Sequence, residues 1–225
     1  LYPDIPITVK MLLNHTSSID NNWETYDRLY TIDSGGGDSP ITLDEFLRGL
    51  LVEGGKWYDE NAIFTKNPPG NKYKYSNPGY ALLGYIVQNI SKMKFDEYCQ
   101  ENIFNILGME HSKWLLSQTE KDLLAVPYSS DKGKLPFYSF PSYPDGALKT
   151  STKDFSKFML AFINNGIFEG KKLLDEKTVK EMVTPSCNDN KQALAWNYSV
   201  LSDFMMQSLD KKGDIVGHTG GDPTL

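Results

Sequence analysis

Tyr73-Lys74-Tyr75-Ser76-Asn77-Pro78-Gly79-Tyr80-Ala81-Leu82-Leu83-Gly84 is the stretch on which the fold turns. Pro78 suits the first turn of a helix, where its missing N–H costs no hydrogen bond, and Asn77 or Ser76 supplies the cap. The spacing predicts a helix from there that carries Leu82, Leu83, Ile86, Val87 and Ile90 inward. The residues just ahead of it admit two readings. Ser-Asn-Pro is a common way for a helix to start. Equally, a tyrosine at that place can bring its phenol to a reactive neighbour, and an Asn two residues on can hold an amide or a lysine.

Upstream, Thr8 caps a short helix through Val9, Leu12 and Leu13 that runs out at His15-Thr16-Ser17-Ser18. Residues Asp20 to Pro40 are polar, contain Gly35-Gly36-Gly37 and read as an irregular excursion. Thr42-Leu43-Asp44-Glu45 is a capping box; its helix has Leu43, Phe46, Leu47, Leu50 and Leu51 on the apolar face and ends at Gly54-Gly55. Downstream, a helix is predicted from Phe95 to Leu107, stopping at Gly108. Ser112 to Pro144 is rich in Pro and Tyr, a long covering loop or a set of short strands. Ser151 or Thr152 then caps an amphipathic helix with Phe155, Phe158, Met159, Phe162 and Ile163 at helical spacing, closed by Asn164-Asn165-Gly166. A further helix covers Asp175 to Val183. Strand-like texture comes only after Pro185, at Ala193 to Leu201 and Asp214 to His218.

The 225 residues are 40% hydrophobic and 12% aromatic, which describes a globular chain. A net charge of −6 argues against a nucleic-acid partner, which needs a basic surface. Arg28 and Arg48 are the only guanidinium groups, leaving little for bidentate clamping of phosphate or carboxylate. No apolar run approaches the ~20 residues of a bilayer span. The chain opens on Leu1, inside what reads as an ongoing domain, so any targeting segment is expected upstream of it. Cys99 shares a helical stripe with Phe95 and Ile106 and reads as a buried, inert thiol; a pairing with Cys187 is left open.

There is no G-x-S-x-G elbow, H-E-x-x-H or phosphate-binding G-x-x-x-x-G-K-[ST], and His15, His111 and His218 are too far apart in sequence to suggest a metal site. Beside Tyr75-Ser76-Asn77 one other segment stands out: His218-Thr219-Gly220-Gly221, after the strand-like Asp214-Ile215-Val216. Adjacent glycines let a strand edge approach a ligand and present a backbone N–H to it, though they also make a plain turn.

The two segments in this order resemble the serine β-lactamase family of the class C type, with its DD-peptidase and esterase relatives. That family uses Ser-x-x-Lys, then Tyr-x-Asn, then Lys- or His-Thr-Gly; a related set serves the class A enzymes. Longer stretches are similar too. Ile7 to Ser17 resembles the family's segment ending in Leu-Leu-x-His-Thr-Ser-Gly, Tyr73 to Gly84 its Tyr-Ser-Asn stretch and following helix, and Asp145-Gly146-Ala147-Leu148 with Asp154-Phe155 its Gly-Gly-Leu segment. Ser18 and Ala147 stand where the family commonly has glycine, and His218 where lysine is common, which points by resemblance to the peptidase and esterase branches. The resemblance implies an α+β fold, a helical domain with an antiparallel sheet flanked by helices. Residues 1–144 would form the mainly helical region and 145–225 part of the sheet domain, incomplete at both ends.

It implies a serine hydrolase working without a cofactor by acyl transfer on an amide, ester or β-lactam, in a small-molecule or peptide substrate, with Tyr75, Asn77 and His218 catalytic and Ser76, Thr219, Gly220 and Gly221 at the substrate. The nucleophile is expected upstream of Leu1. Ser91/Lys94, Ser129/Lys132 and Ser208/Lys211 fit the bare Ser-x-x-Lys pattern but follow Tyr75, the wrong order, and Ser91 falls at a helix end whereas the nucleophile must open a helix. The alternative is a non-catalytic relative that uses the same cleft for binding or scaffolding. Oligomeric state and compartment stay open.

Overall fold

Thr8 accepts from the Met11 N–H and starts α1, Val9–Leu13. The computed structural model describes residues 2–32, 37–187, 191–198 and 216–221. Helix α1 ends in a Schellman arrangement: the His15 N–H donates to Leu12 and the Thr16 N–H to Met11, with His15 in the left-handed region at φ 57°. Ser18 is left-handed as well, at φ 70°, which is why glycine is the natural residue there. Its hydroxyl offsets the strain by donating to the Asn67 carbonyl at 2.7 Å and meeting the Thr65 hydroxyl at 3.0 Å. Ala147 shows no such constraint, having no positive φ.

The supposed irregular excursion contains helix α2, Trp23–Arg28, and strand β1, Thr31–Ile32. The helix escapes sequence pattern because its cap, Asn22, is itself left-handed and the helix is barely two turns long. Gly35 and Gly36 lie outside the described residues. Helix α3, Leu43–Leu51, opens on the full capping box of Thr42 and Glu45 and buries Leu43, Phe46, Leu47 and Leu50 as expected. After the single turn α4, Glu60–Ile63, comes α5, Asn77–Ser91. These elements share one core of Leu12, Ile19, Tyr26, Leu43, Phe46, Leu47, Leu50, Ile63 and Ala81.

Helix α5 keeps only part of the predicted face inward. Its buried residues are the small ones, Pro78, Gly79, Ala81 and Gly84. Leu82, Leu83 and Ile86 are half-buried against the core, whereas Ile90 is 79% exposed. The reason is close approach: a Cβ on Gly84 would sit 2.5 Å from the Pro144 side chain, in the 3₁₀ turn Tyr143–Asp145.

A continuous helical run follows as α6, Phe95–Cys99, a π-helical turn Gln100–Phe104 and α7, Asn105–Leu107, stopped by left-handed Gly108. Short strands β2, Tyr128–Ser129, β3, Gly133–Lys134, and β4, Tyr138–Ser139, cross the Pro- and Tyr-rich region; β2 pairs with β3 and β4 with β1, all antiparallel. Helix α8, Thr152–Ile163, is capped by Ser151. It buries Asp154, Ala161 and Phe162 and packs Phe158 inward, while Phe155 at 44% and Ile163 at 69% are exposed, so only the middle of the predicted stripe faces the core. Asp154 sets that orientation: its carboxylate accepts from the His111 N–H at 2.6 Å and the Ser112 hydroxyl at 3.1 Å. A second core of Cys99, Phe104, Leu107, Met109 and Ala161 lies between α8 and the α6–α7 run. Cys99 and Cys187 form no disulfide among the described residues, and burial pushes the Cys99 thiol up to about 11, an inert group.

The antiparallel pair β5, Ile167–Phe168, and β6, Lys171–Lys172, leads to α9, Glu176–Val183. Of the two late strand candidates, Ser199, Val200, Leu201, Asp214 and Ile215 lie outside the described residues. The described parts meet through Asn197 and Gly217, which exchange backbone bonds at 2.9 and 3.0 Å. The architecture is α+β, as expected from sequence.

Because α5 and the Tyr143–Asp145 turn touch with no room for a methyl, Gly84→Ala is expected to cost about 1–3 kcal/mol. The check is the thermal midpoint, which should fall by several degrees; an unchanged midpoint would mean the two elements part freely.

Candidate active site

Tyr75, Ser76 and Asn77 sit at the entry to α5, and each is held differently. Ser76 is buried and its hydroxyl accepts from the Gly79 N–H at 3.0 Å, so the residue expected at the substrate is placed as the helix cap. Tyr75 is exposed, with its ring against the His15 imidazole at a centroid distance of 4.6 Å. Across from it stands His218, its ring centroid 6.2 Å from that of Tyr75. The two sequence segments therefore come together at one place. His218, Thr219, Gly220 and Gly221 are exposed, and the space where a side chain would leave Gly220 or Gly221 is open.

His15 and Asn21, which sequence reasoning did not place in the site, hold its backbone. His15 is 2% exposed, packed between Tyr75, Tyr80 at 4.8 Å and the edge of Tyr73 at 5.7 Å. Its Nδ1 accepts the Ser76 N–H at 3.1 Å. Burial, with the nearby His218 adding to it, pushes its pKa down to about 3, so the ring is neutral and its proton is assigned to Nε2. Nε2 has no hydrogen-bond partner among the described residues. Asn21, also buried, donates from Nδ2 to the Tyr75 carbonyl at 2.9 Å and accepts the Asn77 N–H on Oδ1 at 2.8 Å. Tyr80 donates to the Leu13 carbonyl at 2.8 Å, and burial raises its pKa, so it too stays neutral. His15 does carry a sequence signal, since it belongs to the Leu-Leu-x-His-Thr-Ser segment; Asn21 lies in a polar run with none.

The described Ser-x-x-Lys matches lie elsewhere. Ser91 closes α5 and donates to the Val87 carbonyl at 2.7 Å, while Ser129 bonds Asp131 in the β2–β3 hairpin. Ser208 and Lys211 lie outside the described residues. Among those described, no cluster of metal-ligating side chains is present and no helix is long and apolar enough to cross a membrane.

Compared with known families, the chain matches the family described as Beta-lactamase over residues 2–225. It belongs to the beta-lactamase family. Among curated relatives, a Bacillus subtilis (strain 168) protein provisionally named penicillin-binding protein PbpX is 27% identical over 80% of this chain and 39% of its own length. A Salmonella schwarzengrund (strain CVM19633) protein provisionally named D-alanyl-D-alanine carboxypeptidase is 26% identical over 70% of this chain and 42% of its own. The chain thus spans about two fifths of the length of these relatives. Among solved structures, the octameric penicillin-binding protein homologue from Pyrococcus abyssi superposes with a TM-score of 0.62 at 26% identity, over 86% of this chain and 44% of that one. The D-amino acid amidase from Ochrobactrum anthropi SV3, solved with L-phenylalanine amide, shares the fold: TM-score 0.61 at 19% identity over 88% and 57% of the two chains.

A buried neutral His15 makes this family member sensitive to acid. The folded ring resists a proton until about pH 3, whereas an unfolded histidine takes one near its ordinary 6.5. Its contribution is therefore present above pH 6.5 and lost progressively as pH falls toward 3. His15→Gln should remove about 1.4 kcal/mol per pH unit from the slope of stability against pH in that window. Denaturant unfolding between pH 4 and 6 measures it, and equal slopes for the two proteins would contradict the assignment.

Proposed function

We propose that the protein is a serine hydrolase that works by acyl transfer on an amide, ester or β-lactam, on the peptidase and esterase side of its family. The serine and its lysine partner are supplied by sequence outside these 225 residues. The observation that carries the reading is the meeting of Tyr75 and His218, rings 6.2 Å apart, at the capped entry of α5. Family membership supports it, as does the relative named for D-alanyl-D-alanine carboxypeptidase activity. The placement of Ser91 at a helix end and of Ser129 in a hairpin leaves neither suited to be the nucleophile.

In this reading the serine oxygen attacks the substrate carbonyl while Tyr75, with the lysine, takes the serine's proton and passes it to the leaving group. Asn77 orients the substrate amide and the lysine. His218 and Thr219 face the substrate's carboxylate or line its pocket. The Gly221 N–H, with the serine's own N–H, receives the oxyanion of the tetrahedral intermediate. Water then attacks the acyl-enzyme, the ester bond to serine breaks, and the acid is released. Gly220 gives this edge its closeness to the substrate. The reaction requires no cofactor, and its partners are small molecules or peptides.

The test is mass spectrometry of the full-length protein after exposure to an activated ester or a β-lactam. A covalent adduct is expected in the wild type and should be lost, or slowed at least about 100-fold, in Tyr75→Phe. Saturable binding with no adduct would instead favour a non-catalytic binding protein. The 225-residue chain alone is expected to show no Tyr75-dependent ester hydrolysis.

A further inference from the structure

The entry to α5 is held by an unusual division of labour among backbone groups. A helix N-terminus leaves its first N–H groups without intrahelical partners, and these are ordinarily met by a cap or by water. Here the Ser76 cap meets Gly79, and the Tyr75 carbonyl and the N–H groups of Ser76 and Asn77 are taken by two buried side chains from the segment after α1. Asn21, 3% exposed, does the larger share. Its single planar amide bridges the Tyr75 carbonyl at 2.9 Å and the Asn77 N–H at 2.8 Å, one residue on either side of Ser76.

Two bonds from one rigid group fix the orientation of both peptide planes that flank Ser76. The plane that carries the Tyr75 carbonyl in turn sets the direction in which the Tyr75 side chain leaves the backbone. A carboxylate has no donor for the Tyr75 carbonyl, and a hydroxyl is one atom where two are needed, so only the carboxamide fits the role. The ring that results lies between His15 and His218.

We propose that Asn21 is a positioning residue for Tyr75: its carboxamide holds the Tyr75–Asn77 backbone so that the phenol is delivered to the reacting group. This rests on the acyl-transfer reading above. Asn21 touches no substrate, and its effect passes through Tyr75. Reaction rates are steep in such placement, with about 100-fold lost for a displacement of about 1 Å.

The experiment uses the full-length protein and a p-nitrophenyl ester or chromogenic β-lactam, following the acylation rate constant and the non-covalent dissociation constant separately. Asn21→Ala is expected to slow acylation by about 10- to 100-fold while the dissociation constant moves less than about threefold. In a Tyr75→Phe background the same substitution should cause almost no further loss, because both changes disable one group. Asn21→Asp, which keeps the acceptor for the Asn77 N–H and loses the donor to Tyr75, should also slow acylation, and it carries the comparison if Asn21→Ala does not fold. Losses that multiply with Tyr75→Phe, or folded Asn21 variants that acylate at the wild-type rate, overturn the positioning role alone. A wild-type protein that forms no adduct overturns the acyl-transfer reading and this inference together.

Discussion

The segment from Asn14 to Asn21 gathers six buried polar side chains in eight residues. Asn14, His15, Thr16, Ser17, Ser18 and Asn21 are all buried, and a buried polar group without a partner is expensive. The chain meets the demand by lacing this segment to residues 63–77. Asp20 donates to the Ile63 carbonyl at 2.7 Å, and Thr65, Gly70 and Lys74 donate to the carbonyls of Ser18, Thr16 and His15 at 2.8, 2.7 and 2.7 Å. The side chain of Asn14 reaches Ser186 at 3.2 Å, which ties the segment to the later part of the chain. The two left-handed residues, His15 and Ser18, let so short a segment turn its side chains toward different partners. The Tyr75–Asn77 side of the candidate site hangs from this lacing.

Neutrality of His15 is the second condition. A charged imidazole would present an N–H at Nδ1 to the Ser76 N–H, donor against donor, and the entry to α5 would lose its support. Desolvation keeps the proton off, and the surrounding tyrosine rings supply that desolvation. The apolar packing of the site and its hydrogen bonding are thus one arrangement. The ion pair between Lys74 and Asp20, at 3.2 Å and half-exposed, adds little beside it.

The sequence was most legible where a signal is local. Thr8, the Thr42–Glu45 box, Ser76 and Ser151 act as caps in the structure where they stand in the sequence, because a cap is an interaction within three residues. Helix faces were less legible. Ile90, Phe155 and Ile163 match an apolar period but are exposed, because α5 turned Gly84 to Pro144 and α8 turned Asp154 to His111 and Ser112. In both helices close approach or a buried carboxylate outweighed the larger apolar side chains. Helix α2 was missed for the opposite reason: six residues behind a left-handed asparagine leave too short a period to read.

By itself the sequence determined the order of α1, α3, α5, the α6–α7 run, α8 and α9, the caps at Thr8, Thr42, Ser76 and Ser151, and the pairing of a Tyr-Ser-Asn segment with a His-Thr-Gly segment, because these are properties of neighbours along the chain or of motifs read in order. Tertiary structure alone decided that Ser76 turns inward, that His15 is neutral beneath Tyr75 and that Asn21 grips both sides of Ser76. Asn21 and Tyr75 are far apart in sequence, and a polar residue in a polar run has no periodicity to mark it as buried. Its role exists only once the fold has brought the two segments within hydrogen-bonding distance.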